Sequence, residues 1–403
     1  MAKPVRIALV GGGFAAHFHL ASYEKVYGVD FEVVGLFDVL KDKAAHLAKE
    51  RGVPRVYDSY EQLLADKNVD VVDVVVPNFL HVPTAVKAAQ AGKHVFCEKP
   101  LTGYFGPPNA RETKWSAKGQ PREPFLKAAL DEANRAYDAV TKAGVTLCYG
   151  ENWVYAPPIV KVRRLMEVSE STILRIQGEE SHSGSHADYA KRWREAGGGA
   201  LLRLCVHPLG AALFLKYEEG RRRGGKPIRP ASVSAEVANL TWMKAFQAEP
   251  VKHVKTGWED VEDFGAILLT FEDGSVAQLT STDTCMGGIY NYLNVYGSRA
   301  VAKANINPNT ACQAYTPDQA YFKDEYIVEK TETKEGWSYP APDEDMVTGY
   351  PDELRDFVCA IAEGRPPKSD LMLAHDVVAV TYGAYLAADQ GRRVDLRPYL
   401  RGL

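Results

Sequence analysis

A glycine-rich turn near the start of the chain carries the first chemical signal. Residues 11–16 read Gly-Gly-Gly-Phe-Ala-Ala between an apolar run and a helical pattern, and they fit the G-x-G-x-x-A pattern of dinucleotide-binding turns. Gly11 permits the tight turn, and Gly13 lets the backbone approach a pyrophosphate, which the positive helix end attracts. We therefore expect Gly11, Gly13, Phe14 and Ala15 to bind a dinucleotide.

An acidic residue follows where such a turn has its ribose ligand. The residue expected about 20 positions beyond the turn is Asp38, at the end of the second apolar run. A carboxylate there accepts hydrogen bonds from the ribose hydroxyls and repels a 2′-phosphate. The sequence therefore predicts NAD as the cofactor, with NADP as the less favoured alternative.

A polar loop in the second half of the chain combines histidines with nearby aromatic residues. His182 and His186 have a metal-like spacing, but a glycine and serines surround them and no third ligand is evident, so we expect no metal site. Tryptophan and tyrosine rings stack on sugar rings, whereas histidines bind hydroxyl groups. The residues that we expect to bind substrate in this way are His182, His186, Trp153, Tyr155 and Trp193.

The elements that must position these residues fall into two halves. Over residues 1–150, short apolar runs alternate with helical patterns, which predicts an α/β Rossmann domain with a parallel sheet. An irregular insertion at 101–124 interrupts this alternation, and we expect it to form a lid or a subunit contact. Residues 151–403 predict an α+β domain with a large open, mostly antiparallel sheet. Its C-terminal helices, within 353–390, are expected to pack back on the first domain.

Composition excludes several functional classes. The 403 residues hold 48 Lys and Arg against 52 Asp and Glu, a net charge of −4, which argues against a nucleic-acid binder. No apolar run approaches the roughly 18 residues of a membrane span, and the N-terminus lacks a signal-peptide pattern. The six cysteines are scattered, as is typical of reduced thiols. We expect a cytoplasmic protein with neither nucleic-acid nor membrane partners.

Further short motifs resemble those of the Gfo/Idh/MocA family, named for glucose–fructose oxidoreductase and inositol dehydrogenase. They are Pro77-Asn78 with His81 three residues later, the triplet Glu98-Lys99-Pro100, Tyr350-Pro-Asp-Glu-Leu and Gly364-Arg-Pro-Pro. The resemblance implies that Pro77, Asn78, His81, Glu98 and Lys99 lie at the cofactor, and that Lys99 is catalytic beside the nicotinamide. It also implies a carbohydrate-like small-molecule substrate and a homo-oligomer, either a dimer or a tetramer.

The same resemblance draws attention to Arg203. After the glycines at 197–199, the family has an aspartate and a histidine four residues apart, but this chain has Arg203 and His207. We predict one helix over 202–217 that places both on one face, with His207 as a catalytic proton acceptor. Arg203 would then lower the pKa of His207 and bind an anionic substrate. The alternative is that Arg203 turns away to a local acid.

Three functions fit these observations. The first is NAD-dependent oxidation or reduction of a secondary alcohol or ketone of a sugar, cyclitol or related polyol, including an anionic one. The second returns the hydride in each cycle, so that transient oxidation of a sugar carbon permits elimination of a glycosidic or ether bond, as the resemblance allows. The third is a non-catalytic dinucleotide sensor.

Overall fold

A parallel sheet forms the first half of the fold in the computed structural model, which describes residues 3–308 and 310–402. Its strand order is β2-β1-β3-β4-β5, and every neighbouring pair is parallel. The strands are β1 (Val5–Val10), β2 (Phe31–Phe37), β3 (Val71–Val74), β4 (His94–Glu98) and β5 (Leu147–Gly150). All four residues of β3 are buried, as expected for a strand covered on both faces. The predicted Rossmann fold is confirmed.

Helices connect these strands. They are α1 (Phe14–Tyr23), α2 (Lys41–Arg51), α3 (Tyr60–Ala65), α4 (His81–Gln90) and α5 (Glu123–Ala143). The short helix α3 was not predicted, because its six residues are too few to show a helical period. The observed α1 ends at Tyr23, three residues before the end expected from sequence.

A mixed sheet of seven strands forms the second half. Its order is β11-β10-β6-β9-β8-β7-β14, and only the β6–β9 pair among the described strands is parallel. The strands are β6 (Ile173–Ser181), β7 (Pro230–Ala238), β8 (Phe264–Phe271), β9 (Val276–Thr282), β10 (Tyr290–Gly297), β11 (Val301–Asn307) and β14 (Val394–Asp395), with a separate hairpin of β12 (Ala314–Thr316) and β13 (Gly336–Ser338). The predicted mostly antiparallel sheet is confirmed.

Eight further helices accompany this sheet in the described chain. They are α6 (Pro157–Val168), α7 (Trp193–Ala196), α8 (Ala200–Arg203), α9 (Val206–Gly224), α10 (Lys244–Ala248), α11 (Glu344–Thr348), α12 (Tyr350–Glu363) and α13 (Leu371–Gln390). Helix α12 contacts α1 and β1, whereas α13 contacts α5 and β5 as well as α9 and β7. The last two helices therefore join the two sheets and hold the space between them in one arrangement.

The helix predicted over 202–217 is broken, and this prediction is wrong. Helix α8 ends at Arg203, α9 begins at Val206, and the helical segments on either side of the break meet at 55°. Pro208 explains the break, because its ring would clash with the carbonyl of Leu204 in a continuous helix. Arg203 and His207 therefore do not share one helical face.

The insertion at 101–124 is irregular, as predicted, but it packs into the second half of the chain. The backbone N–H of Ala117 donates to Asp260 at 2.7 Å, and that of Tyr104 donates to the Tyr382 hydroxyl at 2.6 Å. Within the described chain, none of its residues lines the cleft at the carboxyl ends of the parallel strands. The lid interpretation is therefore not supported for this conformation.

Helix α13 is the one described helix that is long and apolar enough to cross a membrane. The bent segment over 193–224 would also be long and apolar enough if its two parts formed one span. Of the apolar window in α13, 89% is buried inside the fold. The apolar character of α13 is thus used in packing against other elements.

Candidate active site

A cleft of about 580 Å³ opens at the carboxyl ends of the parallel strands. This is where open α/β sheets bind their ligands. It brings together every residue that the sequence assigned to the cofactor. These residues are Gly11, Gly13, Phe14, Ala15, Asp38, Pro77, Asn78, His81, Glu98 and Lys99. Tyr189, from the polar loop, and Tyr350, from the Tyr350-Pro-Asp-Glu-Leu motif, line it too.

The glycine turn has the shape that a dinucleotide requires. Gly11 has a φ of +112°, and a Cβ atom there would lie 2.4 Å from the carbonyl oxygen of Val75, so only glycine fits without strain. The space above Gly13 is open, which leaves room for a phosphate to approach the backbone. The turn therefore fits the pyrophosphate of a dinucleotide.

Backbone N–H groups hold the Asp38 side chain in the cleft. Its Oδ2 accepts a hydrogen bond from the N–H of Gly12 at 2.6 Å, and its Oδ1 accepts one from the N–H of Leu40 at 2.8 Å. Each carboxylate oxygen keeps a further lone pair. The carboxylate is thus oriented and still able to accept hydrogen bonds from ribose hydroxyls.

His81 and Asn78 brace the cleft through contacts with the protein backbone. The ring nitrogens of buried His81 lie 2.7 Å from the carbonyl oxygen of Pro100 and 2.9 Å from that of Val76. Burial lowers the pKa of His81, and the two carbonyl oxygens oppose this shift, because only the protonated ring can donate to both of them. Asn78 Nδ2 donates to the carbonyl of Ala196 at 3.1 Å. These contacts tie Lys99-Pro100 and the second half of the chain to the end of β3.

A buried ion cluster that the sequence did not reveal supports Lys99. His19 of α1 lies with Nδ1 2.9 Å from Asp73 Oδ2 and Nε2 2.9 Å from Glu98 Oε1. Burial alone would lower the pKa of His19, but the two carboxylates raise it well above its usual value. Glu98 Oε2 in turn accepts a hydrogen bond from the Lys99 N–H at 3.0 Å. The cluster therefore fixes the backbone from which Lys99 extends.

His207 forms a buried pair with Glu151 near Lys99. Its Nδ1 lies 2.9 Å from Glu151 Oε1, and its ring stacks on Trp153 with centroids 6.1 Å apart. Burial and the charge of Lys99 hold the pKa of His207 well below its usual value. Burial raises the pKa of Glu151 well above its usual value. The sequence correctly predicts a lowered pKa for His207. The predicted cause, the charge of Arg203, is wrong, because burial and Lys99 lower this pKa instead.

Arg203 has turned to a local acid. It forms a buried ion pair with Asp283 and lies over the ring of Trp258, with 5.2 Å from its guanidinium carbon to the ring centroid. Its backbone carbonyl accepts a hydrogen bond from Lys99 Nζ at 3.1 Å. Because Asp283 neutralises the guanidinium, the prediction that Arg203 selects an anionic substrate loses its support.

All three of the predicted sugar-stacking residues lie in the core instead. The Tyr155 hydroxyl donates to Asp356 at 3.0 Å and accepts from the Ser369 N–H at 2.9 Å. Trp193 donates to the carbonyl of Tyr104 at 2.8 Å. Each is only 1% exposed, so neither has a ring face free for a sugar. Trp153 is equally buried, and its ring stacks on the ring of His207.

The polar loop places its two histidines differently. His182 is buried, and its Nδ1 accepts a hydrogen bond from the Gly184 N–H at 2.9 Å and lies 3.7 Å from Asp283 Oδ1. Burial holds the pKa of His182 well below its usual value. His186 is exposed. Across residues 3–308 and 310–402, no group of three potential metal ligands is found.

The fold and the cleft together define a class of protein. A Rossmann sheet with a glycine turn after its first strand, an acidic residue after its second and a lysine after its fourth is typical of an NAD-binding oxidoreductase. Residues 5–120 match the model of the oxidoreductase family with an NAD-binding Rossmann fold, and residues 171–303 match the GFO/IDH/MocA C-terminal domain. Together the two matches cover more than half of the chain, which belongs to the Gfo/Idh/MocA family.

Individual relatives are similar over nearly the whole chain. The levoglucosan dehydrogenase of Pseudarthrobacter phenanthrenivorans is 24% identical over 394 residues, covering 89% of this chain and 90% of that protein. The myo-inositol 2-dehydrogenase of Thermotoga maritima is 21% identical, covering 97% and 98%. The structure of GenD2 from gentamicin A biosynthesis in complex with NAD has a TM-score of 0.77 and 25% identity, covering 98% and 97%.

Proposed function

We propose that this oxidoreductase interconverts a secondary alcohol and a ketone on a sugar, cyclitol or related polyol, with NAD as the preferred cofactor. The observation that carries the proposal is that Lys99 lines the nucleotide cleft and is close enough for its charge to act on the buried His207–Glu151 pair. The dehydrogenases among its relatives, named for levoglucosan and myo-inositol, support this substrate class.

The nucleotide end of the proposal depends on the turn and on Asp38. The residues that would hold NAD are those of the glycine turn at the pyrophosphate and Asp38 at the adenosine ribose. When bound, NAD supplies the hydride acceptor for alcohol oxidation. The buried Asp73–His19–Glu98 cluster keeps the Lys99 backbone fixed, so that the Lys99 ammonium can donate a hydrogen bond to the reacting oxygen.

The proton leaves through His207 and Glu151. Burial favours the neutral forms of both groups, in which Glu151 donates its proton to Nδ1 and Nε2 carries the ring proton. During ketone reduction, Nε2–H protonates the new alkoxide while Nδ1 takes the proton of Glu151. In alcohol oxidation the two transfers reverse, and one proton passes in total from the substrate oxygen to Glu151.

The test is turnover with a panel of polyols. Absorbance at the nicotinamide band is followed with NAD or NADP and myo-inositol, D-glucose, D-xylose or levoglucosan, and the product is quantified. The proposal predicts one NADH for each ketone formed with at least one of them. Bond cleavage without net NADH would instead establish the redox-neutral elimination, and NAD binding without any turnover would establish a sensor.

The assembly follows as a second proposal from the open sheet. Leu174 on β6 and Leu268 on β8 are exposed on the mixed sheet, and contiguous exposed apolar surface is typical of an interaction site. We propose a homo-oligomer formed through this face, in the cytoplasm. Light scattering at micromolar concentration measures the mass, and a monomer would contradict the proposal.

A further inference from the structure

The carboxyl group of Glu180 lies close to the His207–Glu151 pair. Its Oε2 lies 3.9 Å from His207 Nε2, which is too far for a hydrogen bond. This oxygen is buried, and among the residues that the structure describes it has no hydrogen-bond partner. A buried polar atom without a partner is costly, so this position is suited to a ligand that supplies the missing hydrogen bond.

The neighbours of Glu180 on the sheet are polar as well. In the mixed sheet Glu180 of β6 pairs directly with Asn291 of β10 and with Ser281 of β9, so all three side chains lie on the same face. All three are buried, and Asn291 Oδ1 also lacks a hydrogen-bond partner within the described part of the chain. A polar strip with two unpartnered acceptors thus lies beside His207.

The valence of the reacting oxygen decides what this strip binds. In the ketone, that oxygen has two lone pairs, which Lys99 Nζ and His207 Nε2–H fill in the proposed reaction, and it has no proton to donate. Glu180 must therefore bind another oxygen, and the short gap to His207 restricts this to a neighbouring one. We propose that Glu180 binds the hydroxyl next to the reacting carbon, so that the substrate is a 1,2-diol. This inference rests on the proposed function.

Charge makes this contact dependent on pH. Burial raises the pKa of Glu180 to about 8, so the group is a neutral acid below that pH and a carboxylate above it. A carboxylate accepts a stronger hydrogen bond from a hydroxyl than a neutral acid does. The titratable and charged groups that face Glu180 are Lys99, Glu151, Arg203, Cys205, His207, Asp283, Glu329 and Tyr350.

The experiment compares diols with analogues that lack one hydroxyl. Binding to the protein with saturating NADH is measured by calorimetry for D-glucose and 2-deoxy-D-glucose, and for myo-inositol and its singly deoxygenated analogues, alongside turnover of the same compounds. The variants are Glu180→Leu and Glu180→Gln. Glu179→Leu is the matched control, because Glu179 is the preceding residue of β6 and points to the other face, where it accepts a hydrogen bond from Tyr292.

The analogue that lacks the hydroxyl next to the reacting carbon is expected to bind the wild type about 10- to 100-fold more weakly than the diol does. This ratio should be larger above pH 8 than below it. Glu180→Leu should bring that ratio close to one, Glu180→Gln should retain part of it without the pH dependence, and Glu179→Leu should leave it unchanged. Circular dichroism and NADH binding check that each variant folds.

Three results overturn the proposal: a ratio unchanged in Glu180→Leu, an equal loss in Glu179→Leu, or no binding by any compound in the panel. Discriminated binding without turnover would refute the proposed function and leave the role of Glu180 standing. Turnover without discrimination between the diols and their deoxy analogues would support the proposed function and refute the role of Glu180.

Discussion

Replacing His19 with glutamine is the perturbation whose consequences the structure defines most completely. His19 is 3% exposed and bridges Asp73 and Glu98 at 2.9 Å each. Breaking a buried ion pair by removing one partner costs about 3–5 kcal/mol, because a charge is left buried without compensation. A glutamine amide still offers one hydrogen bond, so we expect a loss of about 3 kcal/mol in the free energy of unfolding.

The pH dependence of this loss follows from the two kinds of group. The pKa of His19 is raised above its ordinary 6.5, so its stabilisation is complete below pH 6.5 and decreases as the pH rises towards the folded-state pKa. The pKa of Glu98 is lowered below its ordinary 4.5, chiefly by His19 acting against burial, so its stabilisation is present above pH 4.5 and is lost on acidification. The difference between wild type and variant should therefore be greatest between pH 4.5 and 6.5.

The assay is urea unfolding from pH 4 to pH 9, followed by tryptophan fluorescence and circular dichroism, whose coincidence permits a two-state free energy. His17→Gln on the same helix is the control, because the side chain of His17 is 39% exposed and its nearest carboxylate oxygen, on Glu50, is 3.9 Å away. We expect the control to change stability by less than about 0.5 kcal/mol. A His19→Gln loss no larger than that of the control, or one that grows steadily towards pH 9, would refute the reasoning.

Three further predictions concern other parts of the site. Asp38→Ala should lower the preference for NAD over NADP in kcat/KM at least about tenfold, since it removes the ribose acceptor and the repulsion of the 2′-phosphate; an unchanged preference would contradict the role of Asp38. Arg203→Met should destabilise the fold by about 3 kcal/mol in thermal or urea unfolding, and the added change Asp283→Asn should recover much of this; a variant of normal stability with a raised KM only for sugar acids would restore the anionic-substrate hypothesis. Tyr155→Phe should leave the KM for polyols unchanged and lower stability by about 1 kcal/mol; a KM increase would place Tyr155 at the substrate.

The parts of the site that could be predicted from sequence are those that local patterns determine. The glycine turn and Asp38 are set by a strand–turn–helix unit of the chain, and Lys99 follows directly on a strand end. Neighbouring residues in the sequence are sufficient to recognise these units. The residues predicted to bind the cofactor accordingly meet in one cleft.

The remaining parts depend on pairings across the fold. His19 meets Glu98 across 79 positions and Arg203 meets Asp283 across 80, and no local pattern indicates either contact. Tyr155 and Trp193 have the composition of sugar-binding residues, but packing between the two sheets buries them. The break between α8 and α9, in contrast, has a local cause, because the ring of Pro208 is incompatible with a continuous helix.

Lys99 is expected to act on the reacting oxygen without contributing much to nucleotide binding. The direct measurement is kcat for the best polyol in the panel, together with the Kd for NADH, in Lys99→Met and in Lys87→Met, an exposed lysine on α4. We predict that Lys99→Met lowers kcat by about 10²- to 10⁴-fold while the Kd for NADH stays within about threefold, and that Lys87→Met changes neither. Turnover of Lys99→Met at the rate of the wild type would contradict the account.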